Sequence, residues 1–401
     1  MKVPVVFKEW ELTAFLAGLT AFTYYAFGAL PLHIAVSQQL GLSPSQTSSW
    51  VFIVWFNGAV WSIFLCLFYR QPIPITWTLP GLIYLGTLAG QFSFAEIIGG
   101  NLMAGVLILV LALMRMGERI MKWLPLPIVM GMFAGSIFIY VTRTVSIIVE
   151  DLAVAGVTVA GYLLGRFIGS RNLPPVALAV ICGSIAVGLS ADLNLGALPL
   201  TLPRVGIPEM QFSFAAFIAI SLPLVVLAMG LGNVQGLGFL LAQGYPAPIN
   251  VLTVVTGICS IVNAVFGGHP ATVARIGVAL LAGPEAGPAR SRYWGGVTAA
   301  ALTIMIALAS STVAALVGVL PRGFIIVLAG VAILSAFQDA LEKAFGGHMR
   351  FGALTAFAVA ATPFAILGIT SAFWAILAGL AGSLLAERGE LFAYWKGARE
   401  G

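Results

Sequence analysis

The sequence predicts an all-α polytopic membrane protein with fourteen transmembrane segments in a 7+7 inverted repeat. Spans 3 and 10 are half-helices, each preceded by a short extended strand. Three observations carry this expectation. First, 60% of the 401 residues are hydrophobic and only 8% are charged, where a soluble domain carries roughly a quarter charged residues. Second, apolar runs bounded by charge, Pro or Gly cut the chain into fourteen segments. Third, two of these segments, Ile73–Gly90 and Val265–Ala282, open on Gly/Pro-broken sequence and then hold only about three turns of apolar helix. A bilayer crossing needs roughly 20 helical residues. Short, interrupted segments at matching positions of two halves mark a transporter's binding site.

Taken in order, span 1 covers Leu12–Gln39 and span 2 Gln46–Tyr69. Span 3 is the first half-helix, from about Leu79. Spans 4 to 7 follow as Phe94–Met114, Pro125–Val149, Leu152–Ile168 and Pro174–Leu189. An amphipathic, Pro-rich link, Ser190–Gln211, ends the first half. Spans 8 and 9 are Phe212–Ala242 and Ile249–Phe266, and span 10 is the second half-helix. Spans 11 to 14 are Tyr293–Val317, Phe324–Leu341, Phe351–Leu367 and Ala372–Leu385. A hydrophilic tail follows Glu387. Pro127 and Pro321 lie 194 residues apart, and the broken segments, aligned at Thr78 and His269, lie 191 apart. Seven spans per half would leave the second half upside down relative to the first. With both termini in the cytoplasm, 15 of the 19 Lys and Arg residues fall on the cytoplasmic side. Arg143, Arg204 and Arg322 fall outside, and Arg275 lies within span 10. That asymmetry follows the positive-inside rule.

Several classes are excluded. The net charge of +5 is spread between apolar spans, so nucleic acid is not an expected partner; the bilayer is. The mixed-charge start MKVPVVFKEWE and the long first span do not read as a cleavable signal. Cys66, Cys182 and Cys259 sit singly in apolar runs and read as packing residues. No Walker, HExxH or Ser/His/Asp pattern is present, so neither an enzyme nor an ATP-driven pump is indicated, and no metal or cofactor is expected. No Asp or Glu falls at the centre of a span; Glu96 and Asp339 lie near span ends. A carboxylate-based proton or sodium site is therefore not expected.

The candidate site is the pair of half-helix N-termini. A helix that starts in mid-membrane leaves its first N–H groups free and presents the positive end of its dipole, a seat for an anion. On one side stand Trp77, Thr78, Leu79, Pro80 and Gly81; on the other Gly267, Gly268, His269, Pro270, Ala271 and Thr272. Pro80 and Pro270 read as first-turn prolines, where a missing N–H costs nothing. His269 is an ionisable group at membrane depth, either a proton-coupling residue or a neutral imidazole bonded to backbone. Arg275, two turns into the second half-helix, supplies positive charge to the site or snorkels to the surface. Asn233, in the span 8 run MGLGNVQGLG, is a substrate-contact candidate. Tyr25, in the aromatic run of span 1, is a candidate wall for an aromatic ligand. His33 reads as structural. Gly131/Gly135 and Gly161/Gly165 are spaced for close helix contact.

The chain resembles the benzoate–proton symporter (BenE) family. The resemblance is carried by Phe266–Gly296, FGGHPATVARIGVALLAGPEAGPARSRYWGG, by WTLPG at Trp77–Gly81, and by LGLSPSQTSSW and GITSAFW. It departs from the family pattern at Gly232, Thr272 and Arg275. The resemblance implies the fold shared with uracil permeases and sulfate-type anion transporters. In that fold spans 1–4 and 8–11 (1–117 and 212–319) form a core. Spans 5–7 and 12–14 (118–190 and 320–386) form a gate, with a link at 191–211 and a cytoplasmic tail at 387–401. It also implies a substrate held between the half-helices, often in a homodimer. The expected function is import of a small organic anion, an aromatic carboxylate such as benzoate, by proton symport across the inner membrane. An inorganic-anion transporter or uncoupled uniporter is the alternative; a nucleobase permease is disfavoured by the lack of acidic residues in spans 8 and 10.

Overall fold

Residues 9–115, 123, 125–190, 198–199 and 201–400 are described by a computed structural model of the chain. Lys2, Lys8, Arg119 and Lys122, which enter the charge asymmetry, lie outside the described residues, as does most of the link at 191–200. The first half begins with α1 (Leu12–Gln39) and α2 (Pro44–Tyr69), then β1 (Ile75–Trp77), α3 (Leu79–Thr87) and α4 (Phe94–Leu113). It continues with α5 (Leu126–Glu150), α6 (Leu152–Ile168) and α7 (Pro175–Ser190). The second half has α8 (Phe214–Ala242), α9 (Ile249–Val265), β2 (Ala271–Val273) and α10 (Arg275–Leu281). Next comes α11, whose two pieces, Arg292–Leu308 and Ser310–Val319, meet at a 58° bend. Then follow α12 (Arg322–Phe345), α13 (Arg350–Ala361), the hairpin β3 (Ala365–Ile366) and β4 (Ile369–Thr370), α14 (Ser371–Ala386) and the tail helix α15 (Arg388–Glu400).

Among the described residues, six helices are long and apolar enough to cross a membrane, or seven if the bent α11 is one span. Five more apolar helices have 10–17 residues. Length and hydropathy alone therefore carry seven crossings. The helix starts follow local chemistry. Ser43 with Gln46, and Ser93 with Glu96, form reciprocal capping boxes at α2 and α4. Glycines set the close packing: Gly131 and Gly135 of α5 lie against the backbone of α13 at Ala353 and Phe357. Gly161 and Gly165 of α6 do the same against α7 at Leu178 and Pro175.

The centre of the molecule is an antiparallel pairing of β1 with β2, Ile75↔Val273, Thr76↔Thr272 and Trp77↔Ala271. Each strand runs straight into its half-helix. Two further bonds extend the pairing, from Thr78 N to the Pro270 carbonyl and from Ala274 N to the Pro74 carbonyl, both 2.9 Å. Non-helical backbone at membrane depth must be satisfied by protein. Polar side chains do this here. Ser62 Oγ accepts from Ile75 N (2.7 Å), Ser260 Oγ from Ala271 N (2.9 Å) and Asn233 Oδ1 from Val273 N (2.9 Å). Asn101 and Asn263 donate to the carbonyls of Gly268 and His269, each at 3.0 Å.

The structure corrects the sequence reading of the second broken segment. The half-helix does not start at His269 but at Arg275, with Ala274 as its N-cap. His269 and Pro270 precede the strand, and Arg275 is the first helical residue instead of lying two turns in. The matching N-caps are Thr78 and Ala274. The cause is the strand pair: Ala271–Val273 is drawn into an extended conformation by β1, so the helix cannot begin until after it. The tail, read as a hydrophilic extension, is helical, and its Leu391 is buried.

Candidate functional site

A cavity of about 220 Å³ lies where the two strand–helix junctions face α5, α6, α7 and α12. Trp77, Thr78, Leu79 and Pro80 line it from the first junction, and Thr272, Ala274, Arg275 and Ile276 from the second. Tyr25 of α1, Gln235 of α8, Met130 and Phe133 of α5, Tyr162 of α6 and Asp339 of α12 complete the lining. Of the residues expected from sequence, the structure brings together Tyr25, Trp77, Thr78, Leu79, Pro80, Thr272 and Arg275. It leaves Gly81, Asn233, Gly267, Gly268, His269, Pro270 and Ala271 off the cavity wall.

Each displacement has a local reason. Gly81 is packed against Thr78 and Leu224, and its N–H is taken by Thr78 Oγ1 (3.2 Å). Asn233 is spent on the Val273 amide and on Thr256 Oγ1 (2.9 Å each). Gly267, at φ +88°, makes the turn out of α9, and Gly268 is wedged against Ile53 and Val54 of α2. Ala271 is a fully buried strand residue. The Pro270 carbonyl serves Thr78. His269 sits one layer behind the cavity. Its Nδ1 accepts from Trp50 Nε1 at 2.9 Å, and its ring lies 5.5 Å from that of His33. His33 Nδ1 donates to the Ala29 carbonyl at 2.9 Å, since a carbonyl can only accept. The Nε2 atoms of both histidines are buried with no hydrogen-bond partner among the described residues. Trp77 separates this pair from the cavity: it stacks on Trp55 at 4.4 Å and meets His33 edge-on at 5.3 Å.

The two junctions differ electrostatically. At α3, Thr78 caps its own helix and Pro80 brings no N–H. At α10 no side chain caps the first turn, and Gly277 keeps it open to the Tyr25 hydroxyl, which would clash with any Cβ there. Arg275 places a cation at the positive end of a helix dipole, an unfavourable position. It is offset by Asp339: Nη1 of Arg275 lies 3.1 Å from Asp339 Oδ2 and 3.0 Å from Gln235 Oε1. Lys343 Nζ joins at 2.9 Å from the same carboxylate oxygen. Two cations against one carboxylate leave the cluster net positive. Two further lining residues are Gln235, which with Asn233 is one of the two span 8 amides that could bind substrate or only bridge helices, and Asp339, which the sequence places near a span end. The signal for Asp339 was present, since an ionisable residue inside an apolar span is functional by default.

The BenE family profile, described as benzoate membrane transport protein, matches residues 8–385. The chain belongs to the BenE family. Among curated relatives, the chain is 28% identical over 343 residues to the inner membrane protein YdcO of Escherichia coli, covering 84% of this chain and 87% of that one. It is 24% identical over 381 residues to the benzoate membrane transport protein of Acinetobacter baylyi, covering 93% and 95%. Among solved structures, this BenE chain resembles the transmembrane domain of a cyanobacterial bicarbonate transporter, BicA, at TM-score 0.53 and 17% identity, over 96% of this chain and 97% of that one. It also resembles SLC26A9 at TM-score 0.59 and 12% identity, over 94% of this chain and 65% of that one. At these identities the two structures speak for the fold of a membrane transporter and not for its cargo.

Proposed function

We propose that this protein is a secondary transporter that imports a small organic anion, an aromatic carboxylate of the benzoate class, through the inner membrane by alternating access. The observation that carries the reading is the cavity itself. An apolar void of about 150 Å³ holds a benzene ring, so about 220 Å³ takes one ring with its carboxylate. Trp77, Phe133, Tyr25 and Tyr162 offer the ring an aromatic wall, and Arg275 with the uncapped first turn of α10 offers the carboxylate its donors.

In this reading the moving body is the core, α1–α4 with α8–α11, and the gate is α5–α7 with α12–α14, in two inverted halves of seven spans. Matched packing pairs support the inversion: α4 lies along α9 as α11 lies along α2, and α6–α7 as α13–α14. Proton coupling falls to His269, supported by its burial, its unpartnered Nε2 and its place behind Trp77. Both termini are cytoplasmic, and two copies assemble as a homodimer.

Proteoliposome uptake tests the reading. Labelled benzoate should accumulate only when an inward proton gradient is imposed. A second reading, uptake of an inorganic anion, is favoured by the net positive charge of the Arg275 cluster. Bicarbonate, sulfate or chloride flux with no benzoate accumulation would replace the first reading by the second.

A further inference from the structure

Arg275 belongs to the strand–helix unit and Asp339 to α12, and both line the cavity. Their 3.1 Å ion pair therefore crosses the boundary that alternating access must shear. The same guanidinium is the cation available to an incoming carboxylate. One Arg275 cannot serve both in full. We infer that Asp339 is a tethered competitor for the substrate: the empty site is closed on an internal carboxylate, and the anion enters by exchange with it. This rests on the cavity being the anion site.

The surroundings make such an exchange inexpensive. Stripping a partner from a partly buried carboxylate is costly when the charge is left alone. Asp339 would not be left alone, because Lys343, one turn on along α12, already touches the same oxygen at 2.9 Å. Gln235 Oε1 accepts from both cations, 3.0 Å from Arg275 Nη1 and 3.3 Å from Lys343 Nζ, and holds them apart and oriented whichever carboxylate is present. Exchange also unties α10 from α12. The empty carrier is latched across core and gate, and the loaded one is released to move, which suppresses idle turnover.

The test is benzoate binding to the full-length protein in nanodiscs at low salt. Asp339→Asn should bind on the order of tenfold more tightly, since a competing charge at ion-pair distance is removed. In an Arg275→Gln background the same change should give no gain, because the competition runs through Arg275. A folded Asp339→Asn with unchanged or weaker affinity overturns the inference, and so does an equal gain in the Arg275→Gln background, which would be a general field effect. Asp339→Ser serves if the amide variant does not fold. The wild-type protein supplies an independent readout. Its aspartates are Asp151, Asp192 and Asp339. Benzoate should shift an isotope-edited aspartate carboxylate band in the infrared difference spectrum; a flat difference spectrum at saturation overturns the exchange. If the wild type binds no benzoate at all, the site reading falls together with this one, whereas binding without Asp339 dependence removes only the exchange.

Discussion

Arg275 and Asn233 show how differently two polar residues at membrane depth are used. Asn233 is 3% exposed and has both its amide groups engaged, one of them on the strand. Asn233→Leu leaves the Val273 N–H buried without an acceptor and should cost about 1–3 kcal/mol. Thermal unfolding in detergent checks this; the midpoint should fall while benzoate affinity changes far less than in the arginine variant. Arg275 instead faces the cavity. Arg275→Ala should weaken benzoate binding by roughly 10–100-fold, the range for loss of a charge-assisted hydrogen bond. Unaltered affinity in a titration would remove Arg275 from the site. Both residues are candidates for the site from sequence alone. Which way a side chain points depends on the non-helical strand it meets, and that strand's position is not written in span 8.

The elements were legible where local chemistry decides them. The Pro and Gly of WTLPG mark a break and a helix start, and α3 indeed follows Thr78. In the second half, GGHP carries the same local signals, yet the helix begins five residues after Pro270. The deciding interaction is pairing with a strand nearly 200 residues away, which no local rule can see. The tail shows another element-scale contact. Glu387 accepts from the Phe351 and Gly352 amides at 2.7 and 3.0 Å, and so caps α13 from outside its own chain segment. Glu387→Gln should lower stability by about 0.5–2 kcal/mol, measured as a drop in the thermal midpoint. Benzoate affinity should hold, because neither Glu387 nor the Phe351 and Gly352 amides line the cavity.

For the whole molecule, composition alone identified a polytopic membrane protein, and the family match and fold likeness agree. Packing between halves was not legible, because it depends on which faces meet. The proposed proton coupling belongs to this scale, since it would link a buried ring to the motion of a core. His269→Ala should leave benzoate uptake indifferent to an imposed pH gradient, as read by paired uptake with and without that gradient. Retained gradient dependence would shift coupling to another group.

The β1–β2 ladder also bears on how the chain is made. When α3 enters the bilayer, Ile75–Trp77 has a raw edge whose mate, Ala271–Val273, is not yet synthesised. At 5–20 residues per second the wait is roughly 10–40 s. During that interval water, lipid headgroups or an insertase must shield the exposed amides. An isolated first half would keep that edge permanently and be an early target of quality-control proteases, whereas the two halves expressed together could still zip into one molecule.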